Sequence, residues 1–183
     1  MEQAEESVTL KSHVIKWGLI IGAISIILNI LLYVVDYTLM VQLKTLFILL
    51  AVYLGITIYA GIDYRNSLDG FLPYGKAFVH GFIVLAISAL VATLFNMVLY
   101  NVIDPELPQK LTEASLENTR EMMTSFGAPE ESIDQAVEQA RASTEKQFTL
   151  TGQLISLVSI FFFSAIMALI SAIFVKKNPP VEL

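Results

Sequence analysis

The sequence predicts an all-α protein: a four-helix transmembrane bundle with an extramembrane acidic helical hairpin between spans three and four. Three observations carry that prediction. Hydrophobic residues make up 55% of the 183 and the mean hydropathy is +0.66, whereas domains that live in water are nearer to about 45–50% apolar. The excess is gathered into four runs, residues 17–35, 43–62, 77–103 and 148–175. Between the last two runs lies one polar interruption of domain-like size, residues 101–147. A helix needs about 20 mostly apolar residues to cross roughly 30 Å of hydrocarbon, and each run meets or approaches that length. Lys44 is the only charge within them and stands at a span end, where its ammonium can snorkel to water. The two-residue alternation of barrel strands is absent. Helices also satisfy their own backbone in lipid.

The chain then divides in order. Residues 1–16 form an N-terminal tail, 17–100 hold spans one to three, 101–147 the acidic hairpin, 148–175 span four and 176–183 a C-terminal tail. Lys11 and Lys16 precede a run that is long for a signal-peptide core. Val35-Asp36-Tyr37 after it is no small-x-small cleavage site, so the first span is expected to remain as an anchor. No N-terminal Cys or Gly offers a lipid anchor. Asp63, Arg65, Asp69 and Lys76 fall in the loop after span two and read as a solvated turn with local ion pairs.

Pro105 should break the third span, because the residue before a proline is driven out of helical geometry. A weak apolar stripe follows at Leu107, Leu111, Ala114, Met122 and Phe126, with Gly127 as its natural stop. Pro129, Glu130 and Glu131 suit the start of a second helix. Ile133, Val137 and Ala140 continue it on one face. A hairpin whose two narrow faces pack on each other is the expectation. It carries ten acids against four bases, while the rest of the chain has seven of each sign, so the whole net charge of −6 comes from this arm. Such a surface disfavours nucleic acid, which wants a basic face.

Four spans put both termini on one side, with Lys11, Lys16, Arg65, Lys76, Lys176 and Lys177. The other side holds Lys44, Lys110, Arg120, Arg141 and Lys146. The positive-inside rule therefore places the termini in the cytoplasm and the arm outside. Trp17, Tyr64, Phe71, Tyr74 and Phe78 near one interface, and Tyr33, Tyr37 and Tyr100 near the other, match aromatic belts.

Lys16-Trp17-Gly18-Leu19-Ile20-Ile21-Gly22 opens span one, and Gly70-Phe71-Leu72-Pro73-Tyr74-Gly75-Lys76-Ala77-Phe78, followed by Gly81, opens span three. Tyr100-Asn101-Val102-Ile103-Asp104-Pro105 closes it, ahead of the acidic arm and a last span ending in Lys176-Lys177. In these features, over nearly its whole length, the chain resembles a family of bacterial membrane proteins, domain of unknown function 4199, common in the Bacteroidota. The resemblance implies a four-span protein of an inner membrane. It brings no activity and no catalytic residues.

Small residues mark candidate helix-packing positions: Gly18 and Gly22 on span one, Ala51 and Gly55 on span two, and Gly152, Ser164 and Ala168 on span four. Small side chains let helices approach closely in lipid, within one bundle or between two copies. A candidate polar layer lies at one depth in the outer half of the spans: Asn29, Thr93, Asn96, Gln153 and Ser156. It reads as interhelical glue or as a small cavity open toward the arm. That layer has no ionisable group, which argues against a pump or proton relay. His13 and His80 lack the spacing of a zinc pair and read as interface residues. No cysteine is present, which removes disulfides and thiolate chemistry. The expected protein is non-enzymatic and binds no cofactor or metal. It would sit in the lipid bilayer, with a homo-oligomer as one reading of its small-residue faces, and would meet an envelope protein partner through the hairpin. A small-solute channel or transporter acting as an oligomer is the alternative.

Overall fold

The computed structural model describes residues 9–179 and is helical throughout, with no β-strand among them. In chain order the helices are α1 (Leu10–Asp36), α2 (Leu43–Asn66), α3 (Tyr74–Val98), α4 (Leu107–Ser125), α5 (Glu130–Gln147) and α6 (Leu150–Val175). A 3-10 turn, Tyr37–Val41, follows α1 and a π-helical turn, Leu99–Ile103, follows α3. With those turns, Leu10–Val41, Leu43–Asn66, Tyr74–Ile103 and Leu150–Val175 are long and apolar enough to cross a membrane. Large apolar side chains such as Val35, Phe47, Val158 and Phe162 point outward, as lipid-facing positions do.

Helix α1 begins at Leu10, well before the apolar run that starts at Trp17. Its 27 residues rise about 1.5 Å each, or about 40 Å in all, more than the roughly 30 Å of hydrocarbon. The early turns therefore reach the interfacial zone. Asp36 ends the helix: its side chain accepts from the Thr38 backbone N–H at 2.9 Å and the Thr38 hydroxyl at 2.7 Å. At the far end of α3 the Asp104 N–H donates to Leu99 O at 2.8 Å, a widened turn that halts before Pro105.

By contacts the chain forms two compact units. Among the described residues, the first comprises 9–24, 51–91 and 160–179. Its core joins Tyr64, Leu72, Ala77, Ala172 and Val175, with a second cluster of Val14, Ile21 and Val84. Glycines set the spacing of its helices. A Cβ on Gly18 would stand 2.6 Å from Ile87, one on Gly22 2.8 Å from Val91, and one on Gly61 2.6 Å from Val175. The loop after α2 turns at Asp69 and Gly70, both with positive φ. It then pairs with the chain after α6: Leu72 N–H donates to Lys177 O at 2.8 Å and Lys177 N–H to Leu72 O at 2.9 Å.

The second unit comprises residues 25–50 and 92–159. Leu99, Leu107 and Leu111 form its core, flanked by Tyr33, Met40, Val41, Phe95, Tyr100 and Phe148. Helices α4 and α5 pack on each other, with Arg120 Nη2 to Asp134 Oδ1 at 3.1 Å. Gly127 (φ 72°) turns the chain between them. The expected face-to-face packing of two apolar stripes is only partly what forms. Leu107 and Leu111 turn instead toward Leu99 and its aromatic neighbours. Phe126, at the other end of the stripe, is 83% exposed. A narrow stripe cannot cover both neighbours, and at its base it packs on the span-end aromatics.

Candidate functional site

In the first unit, three helices bring four polar or aromatic side chains to one point. His13 and Trp17 lie four residues apart, on one face of α1; Asp63 comes from the last turns of α2 and His80 from α3. His13 Nδ1 and His80 Nε2 are hydrogen-bonded at 2.9 Å. His13 Nε2 reaches Asp63 Oδ2 at 3.2 Å, and Trp17 Nε1–H donates to the same oxygen at 3.0 Å. The Tyr64 ring stacks on His80, 4.8 Å between centroids and 7° from parallel. His13 and His80 are buried, while the Asp63 side chain is 45% exposed.

The order of donors follows from the partners. An ionised Asp63 can only accept, so His13 donates from Nε2. Neutral His13 then has a bare Nδ1, which accepts from His80 Nε2–H. That leaves His80 Nδ1 bare as well, buried and without a partner among the described residues. The arrangement is a linear chain from a half-exposed carboxylate to a fully enclosed base. It is not a converging ligand set, and no group of three or more His, Cys, Asp or Glu among the described residues is placed to hold a metal.

The sequence reads these histidines as interface residues and does not suggest that they meet; in the structure they form a buried pair. Asp63 and Arg65 likewise belong to α2 rather than to the loop. Arg65 Nη1 donates to Val175 O at 3.0 Å, helping to hold the end of α6. Spacing gave no warning, because 67 residues separate His13 from His80. The available signal was positional: His13, Trp17, Asp63 and His80 all sit near the same-side ends of successive spans.

In the second unit Asp104 ties the base of α4. It accepts from Tyr33 Oη–H at 3.1 Å and from the Glu106 and Leu107 N–H groups, each at 3.1 Å. Lys110 Nζ stands 3.6 Å away. Burial pushes this carboxyl up, but the Tyr33 hydrogen bond, the Lys110 ammonium and the two backbone donors outweigh it and hold it below the ordinary carboxylate range.

The polar-layer residues all fall in this second unit. Thr93 and Gln153 are buried; Asn29, Asn96 and Ser156 are half-buried. Gln153 Nε2–H donates to Phe148 O at 3.0 Å. The side-chain oxygens of Asn29, Asn96 and Gln153 are enclosed with no partner among the described residues. Among the small residues, Gly18, Gly22, Ser164 and Ala168 are buried in the first unit. Ala51 and Gly55 face outward, and a Cβ on Gly55 would meet nothing within 4 Å. Gly152 lies tight against the Lys146 carbonyl, where α5 passes into α6.

No curated protein and no solved structure matches the chain. The profile of a family described as a protein of unknown function (DUF4199) matches residues 16–177. That stretch includes Asp63, His80, Asp104 and most of each of the four apolar helices, with His13 just ahead of it, and so the chain belongs to the DUF4199 family.

Proposed function

We propose that the chain is a non-enzymatic, multi-pass protein of a bacterial inner membrane, with both termini in the cytoplasm. Its acidic α4–α5 arm would meet an envelope protein partner outside the bilayer. One observation carries this reading. Glu113, Glu117, Glu121, Glu130, Glu131, Asp134, Glu138 and Glu145 are all exposed on two ordered helices, while Leu107 and Leu111 fix the arm at its base. An anchored surface with one dominant sign of charge selects partners by electrostatic complementarity. The non-enzymatic part rests on His80, the free base of the histidine chain. It is 0% exposed, out of reach of a substrate.

The test keeps Asp104, Leu107 and Leu111 and replaces Glu117, Glu121, Glu130, Glu131 and Glu138 by Gln. A photo-crosslinking residue at exposed position 126 should capture a specific envelope protein in cells from the parent chain and lose it from the variant. Capture of the same partner at the same yield by both would overturn the reading. Protease access to a tag in the turn at residues 126–129, in intact spheroplasts, tests the orientation.

The second reading, an oligomeric small-solute channel or transporter, is favoured by the three unpartnered amide oxygens of Asn29, Asn96 and Gln153. Buried carbonyls without partners suit water or a polar solute. Solute flux into proteoliposomes that disappears in Asn96→Leu would support it, and no flux above empty vesicles would remove it.

A further inference from the structure

We propose that Asp63, His13 and His80 form a binding site for a single proton, with His80 Nδ1 as the accepting atom and His13 as the residue that ends up charged. This goes beyond the arm-presenting role and does not depend on it. At rest the chain holds two ring protons. His13 Nε2–H points to Asp63, and His80 Nε2–H points to His13 Nδ1, across 3.2 Å and 2.9 Å. The only ring nitrogen left bare and unbonded is His80 Nδ1.

A proton added there makes a new N–H bond on His80. The Nε2 proton of His80 then crosses to His13 Nδ1, so one N–H bond breaks and one forms. His13 becomes an imidazolium that donates at both nitrogens, to Asp63 Oδ2 and to the now bare His80 Nε2. Both hydrogen bonds survive, and the positive charge comes to rest beside the carboxylate. A second proton has no vacant ring nitrogen, because it could reach one only by breaking the His–His bond. The cluster therefore passes from a net charge of about −1 to neutral on loading, in one step.

The surroundings fit a one-proton device. From α1, Lys16 acts electrostatically on both His13 and Asp63, and Trp17 shares the carboxylate oxygen. From α2, Tyr64 covers the His80 ring. Among the described residues, the ionisable groups that act electrostatically on His80 are His13 and Asp63. Half-exposed Asp63 gives the cluster an edge toward water.

The chain has only two histidines, so histidine labelled with 15N reports on this site alone. In full-length protein in lipid nanodiscs at high pH, both rings should be neutral Nε2–H tautomers. A coupling across the N–H···N bond should link His13 Nδ1 to His80 Nε2. On acidification His13 should become imidazolium while His80 changes tautomer to Nδ1–H, in one shared transition that takes up one proton per chain. Two independent transitions, or protonation of one ring with no change in the other, would overturn the proposal. His80→Phe keeps an aromatic ring against Tyr64 and removes the accepting atom. If it folds and His13 still titrates along an unchanged curve, the proposal also fails; if it does not fold, the spectra of the parent chain decide.

Discussion

The Tyr33 hydroxyl donates to Asp104 Oδ2 at 3.1 Å, joining the last turns of α1 to the base of α4 across 71 residues of sequence. Asp104 also receives the first N–H groups of α4, so one carboxylate serves as both helix cap and inter-element tie. The π-helical turn before it matters here: it advances the backbone to Asp104 without continuing the helix into Pro105.

Acid should loosen this tie. The folded-state carboxyl of Asp104 lies below the ordinary value, so the unfolded chain binds its proton more readily. The contribution of Asp104 is complete above about pH 4, the unfolded carboxylate range, and is lost as pH falls through the lower folded value. Thermal unfolding of purified protein should show Asp104→Asn less stable than the parent at neutral pH, with the difference shrinking below about pH 4. Tyr33→Phe should behave similarly to a smaller degree. Acid profiles that run parallel for parent and Asp104→Asn would show that the carboxylate is not what holds the base of α4.

The helix glycines separate into those that set a distance and those that do not. A Cβ at Gly61 would stand 2.6 Å from Val175, and at Gly18 2.6 Å from Ile87, so Gly61→Ala and Gly18→Ala overpack their contacts at a cost of about 1–3 kcal/mol. At Gly81 the nearest atom would be an ordinary 3.6 Å away, and at Gly55 there is open space. Gly55→Ala should therefore hold or raise stability by up to about 1 kcal/mol from helix propensity. Unfolding temperatures of these three variants in one detergent check the ranking. A drop at Gly55 as large as at Gly61 would instead mean that the Ala51–Gly55 face is covered by another copy.

The end of α6 is held by backbone rather than by side-chain packing alone. Leu72 and Lys177 exchange two hydrogen bonds, and Arg65 donates to Val175 O. Lys177→Pro removes one donor, and Arg65→Met leaves a carbonyl without its partner. Each should cost about 1–2 kcal/mol and speed protease cleavage within residues 67–73. Unchanged cleavage kinetics in both would show that burial of Leu72 holds the loop without the pairing.

The four spans were legible because lipid imposes a length and an apolar content that no other context does. The break at Pro105 and the turn at Gly127 were legible because both obey local backbone rules. The start of α1 was not. Leu10 to Lys16 has little hydropathy, and the helix runs through it where His13 and Trp17 find a partner in Asp63. Nor was the division of the α4 stripe legible, since Leu107 and Leu111 choose their neighbours in three dimensions. The polar layer shows the converse limit. Its residues could be named from depth alone, but depth does not say that the oxygens of Asn29, Asn96 and Gln153 end up enclosed without partners.

Trp17 offers a built-in reporter of the histidine chain. It is the sole tryptophan, its indole N–H donates to Asp63 at 3.0 Å, and its ring centroid lies 6.3 Å from that of His13. A protonated imidazole this close to an indole quenches its emission, whereas a neutral one does so weakly. Loading the chain with one proton should therefore lower Trp17 fluorescence along the same pH curve that 15N spectra give for His13. His13→Gln should abolish the change, because Gln can still accept or donate but cannot become a cation. His80→Phe should displace it, because the accepting atom is gone while His13 remains. Asp63→Asn keeps an oxygen for both donors and removes the charge that stabilises the imidazolium, so quenching should require more acid. Emission that follows the same curve in His13→Gln as in the parent would assign the change to some other group and detach Trp17 from the proton site.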